Sequence, residues 1–197
     1  MLNKLVEQEQ KRDFESIIVD SGSGDDTNAS TPKKPNLGAM YSTMRVRGVS
    51  TVVDKIINGY ETYLTVQKVT NVPWELIGCL HHQEYNCNFK RWLGNGQPLD
   101  QKSTIVPKGY GPFKSWEEGA VVALNLKKKP DVWTIVETLR YAEKYNGLGY
   151  RRHGVYSPYI WAYTQYYTKG HYVADGKFDA NKIRKKPGVA PVLRSLL

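Results

Sequence analysis

Cysteine is scarce in this sequence: Cys79 and Cys87 are the only two among 197 residues. Eight residues of helix span about 12 Å, too far for a disulfide unless the helix stops early. Both are therefore read as free thiols of a chain made in a reducing compartment. Histidine is scarce too, with four residues and no HExxH or CxxC spacing. His81 and His82 are neighbours, and on a helix they diverge by about 100°, a poor arrangement for one metal ion. No metal site and no organic cofactor are expected. No stretch approaches the ~18 consecutive apolar residues of a membrane span, so stable membrane insertion is not expected. The opening MLNKLVEQEQKRDF is charged throughout and lacks the apolar core of a secretion signal, so no signal peptide is expected.

What the sequence has in abundance is positive charge, unevenly placed. The total of 28 Lys/Arg against 19 Asp/Glu leaves +9. Residues 1–36 hold five basic and seven acidic side chains, so residues 37–197 hold 23 and 12, a net of +11. Such a body is drawn to a polyanion: a nucleic acid, an anionic membrane surface or a bacterial wall. The basic residues are scattered apart from Lys127-Lys128-Lys129, Arg151-Arg152 and Lys185-Lys186. No recognition helix or aromatic platform accompanies them, so nucleic acid is not the expected partner.

Residues 21–36, SGSGDDTNASTPKKPN, cannot bury enough apolar surface to offset their ordering entropy. Residues 1–36 are read as a disordered tail and linker, and residues 37–197 as one domain, expected to be monomeric. Within it the apolar period predicts a helix over 51–69, with Val52, Val53, Ile56, Ile57, Tyr60, Tyr63 and Leu64 inward. Asn71-Val72-Pro73 reads as a helix start, opening a helix over 73–85. Residues 86–114, rich in Gly and Pro, read as loops with a small hairpin. Ser115-Trp116-Glu117-Glu118 is a capping box for a helix to about 126. Further helices are expected over 131–145, ending at Asn146-Gly147, over 158–168 and over 187–197. The expected fold class is mainly α (α+β), with one small irregular β-hairpin region.

One titratable residue stands out. Pro73, Leu76, Ile77 and Leu80 form the apolar stripe of the 73–85 helix, and its next member is Glu84. A carboxyl at the end of a buried stripe is partly desolvated, which raises its pKa and keeps it protonated near neutrality. A glycosidic leaving oxygen needs such an acid; the alternative is a surface residue where the helix end frays.

The run Ile77-Gly-Cys-Leu-His-His-Gln-Glu84-Tyr-Asn-Cys-Asn-Phe89 resembles the catalytic-helix motif of goose-type lysozymes and soluble lytic transglycosylases. Tyr141-Ala-Glu-Lys-Tyr145-Asn146-Gly147 is similar to their later Tyr-Asn-Ala-Gly motif, which lines the cleft opposite the glutamate. The two motifs occur in that family's order, each at a helix C-terminus. The sequence departs from the pattern at Tyr85, where serine is usual, at Asn146-Gly147-Leu148, and in lacking a Gly-Leu-Met-Gln-type strand motif. The resemblance spans roughly residues 70–185. It implies a lysozyme-like domain that cleaves the β-1,4 bond between N-acetylmuramic acid and N-acetylglucosamine, with Glu84 as general acid and peptidoglycan glycan strands as partner. It also implies an origin as a phage endolysin or virion-associated lysin, made in the cytoplasm and acting on the wall.

A second catalytic group is sought on the loops after the helix, where Asp100 and Thr104 are the candidates. Asp100 would hold the attacking water or stabilise an oxocarbenium-like transition state; its alternative is a turn residue after Gln97-Pro98. Residues 145–172 hold eight of the fourteen tyrosines, and amphipathic rings suit the flat faces of sugars. Tyr145, Asn146 and Tyr150 are the cleft candidates there, with Trp92 and Asn95 in the first loop, while Tyr159, Tyr163 and Tyr166 are assigned to packing. The competing readings are a non-catalytic wall-binding or virion structural protein of lysozyme-like shape, and a zinc-dependent wall amidase drawing on His81, His82, His153, His171 and the cysteines.

Overall fold

The computed structural model describes residues 35–197. Most of the expected tail and linker lies outside the described residues. The described chain is mainly helical, as expected. Its helices are α1 (Leu37–Thr43), α2 (Ser50–Ile57), α3 (Tyr60–Thr70), α4 (Trp74–Tyr85), α5 (Trp116–Asn125), α6 (Ile135–Asn146), α7 (Pro158–Trp161) and α8 (Val189–Leu196). A 3-10 turn, Gly149–His153, follows α6, and strands β1 (His171–Ala174) and β2 (Lys177–Asp179) form a two-stranded antiparallel sheet.

Helix α4 is the axis of the fold. Every residue from Leu76 to Gln83 is buried, including His81 and His82. A helix enclosed on all sides belongs to the middle of a core. It packs against α2, α3, α6 and α8. The remaining core comes from Ile56, Tyr63, Val66, Leu124, Leu139, Ile160 and the apolar face of α8, all at or near zero exposure. His81 sits in an aromatic nest, its ring 4.4 Å from Trp116 and 4.7 Å from Phe89, with Nδ1 3.0 Å from the Tyr63 hydroxyl.

Four sequence expectations are corrected. The single helix over 51–69 is two helices, broken at Asn58-Gly59. Gly59 is buried, and a Cβ there would stand 2.7 Å from the Tyr63 ring and 2.8 Å from Phe89, so the chain bends where only glycine fits. The bend turns Ile57 outward, to 52% exposure. Asn71 does not start α4; with φ 58° it ends α3, and Pro73 is the residue before the first turn. The 86–114 region contains an isolated bridge, Arg91 with Pro98, and no strand. The hairpin lies instead at 171–179, in a stretch whose few apolar residues, Val173 and Phe178 among them, give little alternation to read. Finally, the helix expected over 158–168 is the one turn of α7, because the chain leaves helical conformation at Ala162 and Tyr163, the latter at φ 71°.

Other local expectations hold. Ser115 Oγ accepts from the Glu118 amide and the Glu118 carboxylate accepts from the Lys114 amide, a reciprocal cap at the start of α5. Helix α6 ends at Asn146-Gly147, with Gly147 at φ 101° and its N–H bonded to the Glu143 carbonyl. It begins later than expected, at Ile135, where Thr134 Oγ1 accepts from the Glu137 amide. Both cysteines are free, Cys79 buried and Cys87 half-buried.

Candidate active site

Glu84 lies in the last turn of α4 and is half-buried while its neighbours Tyr85 and Asn86 are exposed. Its carboxylate accepts a hydrogen bond of 2.8 Å from the hydroxyl of Tyr159, carried on α7. Burial pushes the Glu84 carboxyl above its ordinary pKa. The Tyr159 hydrogen bond and the positive charges of Lys186 and Arg184 pull the other way, and burial wins. The group is thus an acid that holds its proton longer than a surface carboxyl, surrounded by partners that stabilise the anion once the proton leaves.

Three elements bring those partners in. Tyr159 is 2% exposed, and its phenol is held well above the ordinary pKa by burial and then by the charge of Glu84. It therefore donates and does not ionise. Tyr145, in the last turn of α6, donates to the Leu93 carbonyl at 3.1 Å, and its pKa is raised by burial and by the charge of Glu84. The end of α4 and Tyr145 thus share one region, with Asn146 and Gly147 following Tyr145 in the chain. The third element is the segment before α8. Arg184 donates to Gln83 Oε1 at 2.6 Å, its guanidinium 5.8 Å from the Tyr159 ring centroid. Lys186 donates to the carbonyls of His82 (3.0 Å) and Gln83 (2.9 Å), capping the C-terminal, negative end of α4. Burial lowers the pKa of both cations.

The other candidates divide sharply. Asn146 ends α6 and is exposed beside Tyr145. Tyr150 is buried, its hydroxyl 2.8 Å from His171 Nδ1 and its ring against Tyr172, so it anchors the β-hairpin. Trp92, read from sequence as a cleft residue, is 1% exposed; its indole donates to the Gly119 carbonyl at 2.7 Å and its ring packs on Phe113. It is core, because that loop carries its apolar side chain inward. Asn95 donates to Ser103 Oγ and to the Ile105 carbonyl and accepts from the Gln97 amide, which makes it a loop brace. Thr104 is tied to Gln97 through its hydroxyl (2.9 Å) and its amide (2.7 Å). Asp100 is exposed and lines a surface groove with Lys90, Arg91 and Leu99; Glu84 does not line that groove.

Sequence reasoning missed Tyr159, Arg184 and Lys186. The sequence pattern assigns Tyr159 to packing, and its ring is buried, but the hydroxyl reaches Glu84. Arg184 and Lys186 lie in a segment without periodicity, and only tertiary contact brings them to α4. Among the described residues no group of three or more His, Cys, Asp or Glu side chains is placed to hold a metal ion. His81 is used by Tyr63, His153 Nε2 by the Tyr172 hydroxyl and His171 by Tyr150. No helix among the described residues is long and apolar enough to cross a membrane. Comparison of the chain with family models, with curated proteins and with solved structures finds no match.

Proposed function

We propose that this chain is a peptidoglycan-degrading muramidase of lysozyme-like architecture, with Glu84 as its general acid and β-1,4-linked N-acetylmuramic acid–N-acetylglucosamine strands as its substrate. The observation that carries the reading is a desolvated glutamic acid at the end of a buried helix, hydrogen-bonded by Tyr159 and sharing its surroundings with Tyr145. The resemblance of those two segments to the goose-type lysozyme and lytic transglycosylase motifs supports the same assignment.

The chemistry follows from the neighbours. Protonated Glu84 gives its proton to the glycosidic oxygen as the C–O bond breaks. The carboxylate left behind is stabilised by the Tyr159 hydroxyl and by Arg184 and Lys186, whose influence on it grows as its charge appears. Glu84 then serves as base. It takes a proton either from water, giving hydrolysis, or from the muramic 6-hydroxyl, which closes an anhydro ring. A single carboxyl suffices for the second route. The net charge of +11 over residues 37–197 holds the enzyme on an anionic envelope. Action on the wall as a phage endolysin or virion-borne lysin belongs to this same reading.

The test is clearing of permeabilised Gram-negative cells. The wild-type chain is expected to clear them and the Glu84→Gln variant to be inactive; equal clearing by both overturns the assignment. Mass spectrometry of the digest then separates the routes, reducing ends marking hydrolysis and anhydro ends transglycosylation.

A further inference from the structure

The loop after the Trp92 core carries an apolar tip that neither the fold nor the proposed chemistry uses. Val106 is 80% exposed and Ile105 51%. Single exposed apolar residues are ordinary, but two consecutive β-branched side chains at the end of a braced loop are not. The bracing is extensive. Gln97 Oε1 accepts from the amides of Thr104 (2.7 Å) and Ile105 (3.1 Å). The Ile105 carbonyl accepts from Asn95 Nδ2 and Ser103 Oγ. Below the tip, the Ser103 amide bonds the Tyr110 carbonyl and the Gly109 amide bonds the Ser103 carbonyl, each at 2.8 Å.

This network has two consequences. The backbone that carries Ile105 is held in place, so burying the tip costs little further backbone ordering. The amides of Thr104 and Ile105 and the Ile105 carbonyl already have protein partners, so they do not need water if the tip enters an apolar medium. The charges next to the tip in the chain are positive. Lys102 and Lys108, both exposed, stand on either side of Ile105-Val106, and the nearest acid in the chain is Asp100.

We propose that the Ile105-Val106 tip is a docking point for the surface of an anionic lipid bilayer, the two side chains entering the headgroup–acyl boundary while the flanking Lys102 and Lys108 meet lipid phosphates. Exposed β-branched side chains flanked in the chain by exposed lysines match that surface in both respects. Such docking is peripheral and reversible, because two side chains bury far less than a spanning helix. The proposal is independent of the Glu84 chemistry.

The test is co-sedimentation of the full chain with phosphatidylcholine vesicles made with or without phosphatidylglycerol. Binding is expected to the anionic vesicles and to weaken with added salt. Because the whole body is basic, charge alone would also give some binding, so the deciding variant leaves charge untouched. The double substitution Ile105→Ser with Val106→Ser is expected to weaken binding by about tenfold or more, with an unchanged Tm. Val106→Leu is expected to retain binding. Glu84→Gln is expected to bind as wild type, which separates this result from the enzymatic one. Equal binding by the double serine variant and the wild type overturns the proposal. So does absence of wild-type binding to anionic vesicles, or a vesicle-free dimer that the serine pair abolishes.

Discussion

The loops of residues 86–114 and the segment from Ser157 to Lys186, which holds α7 and the β-hairpin, are both rich in polar side chains, yet the structure uses them in opposite ways. In the first, Asn95, Gln97, Ser103 and Thr104 bond to one another and to the local backbone. In the second, Tyr159, Arg184 and Lys186 converge on a different element, the end of α4. Polar groups satisfied within their own loop shape that loop. Polar groups directed at a half-buried carboxyl on another helix oppose the effect of its burial and stabilise its anion. The second segment therefore supplies the polar partners of Glu84, although the first follows α4 directly.

The contrast can be broken most decisively at Glu84. Glu84→Gln removes the transferable proton and is expected to lower kcat by 10²-fold or more, measured on purified peptidoglycan. Next comes Tyr159→Phe. It deletes a hydrogen bond to the charged form, so the Glu84 pKa is expected to rise further. The alkaline limb of the pH–rate profile then moves to higher pH while the maximal rate changes only a few-fold. In the loops, Gln97→Ala is expected to lower stability by about 1–2 kcal/mol, read by denaturant unfolding, and to leave the pH profile where it was. Asp100→Asn is expected to change kcat less than about twofold, as for an exposed surface residue. A shifted profile for Gln97→Ala, or a large loss for Asp100→Asn, would erase the distinction between the two regions.

Stability against pH sharpens the same contrast, because α4 carries groups of opposite linkage. Burial lowers the pKa of both His81 and His82 to about 4. The unfolded chain then binds the extra protons between the ordinary histidine pKa and about 4. The stability these neutral rings provide is lost as pH falls through that range. Glu84 runs the other way. Its raised pKa means the folded state holds the proton more tightly, so its ionisation costs stability as pH rises. Glu84→Gln is therefore expected to raise Tm at neutral pH by on the order of a few degrees, with the gain shrinking in acid. On the proposed function, activity and stability trade against each other at this one side chain.

Much of the helical framework was legible in the sequence because caps and apolar periods are local. Ser115 with Glu118, Asn146 with Gly147 and the stripe through Leu80 are examples. Glu84 was legible for the same reason, as the next member of that stripe. The break at Gly59 was hidden because its cause is the packing of Tyr63 and Phe89 around a backbone with no room for a Cβ. Trp92 and Tyr150 were misplaced because an aromatic ring with a polar tip suits both a sugar face and a core, and only burial decides between them. Arg184 carried no signal, and Lys186 only that of a Lys-Lys pair. Their partners lie about a hundred residues away in the chain.

The most direct measurement is the titration of the Glu84 carboxyl in the intact chain. Carbon-13 shifts of labelled glutamate side chains, assigned by comparison with Glu84→Gln, would follow it as a function of pH. The account predicts one glutamate that titrates clearly above the ordinary range and is missing from the variant. A Glu84 signal titrating at or below the ordinary glutamate pKa would contradict it.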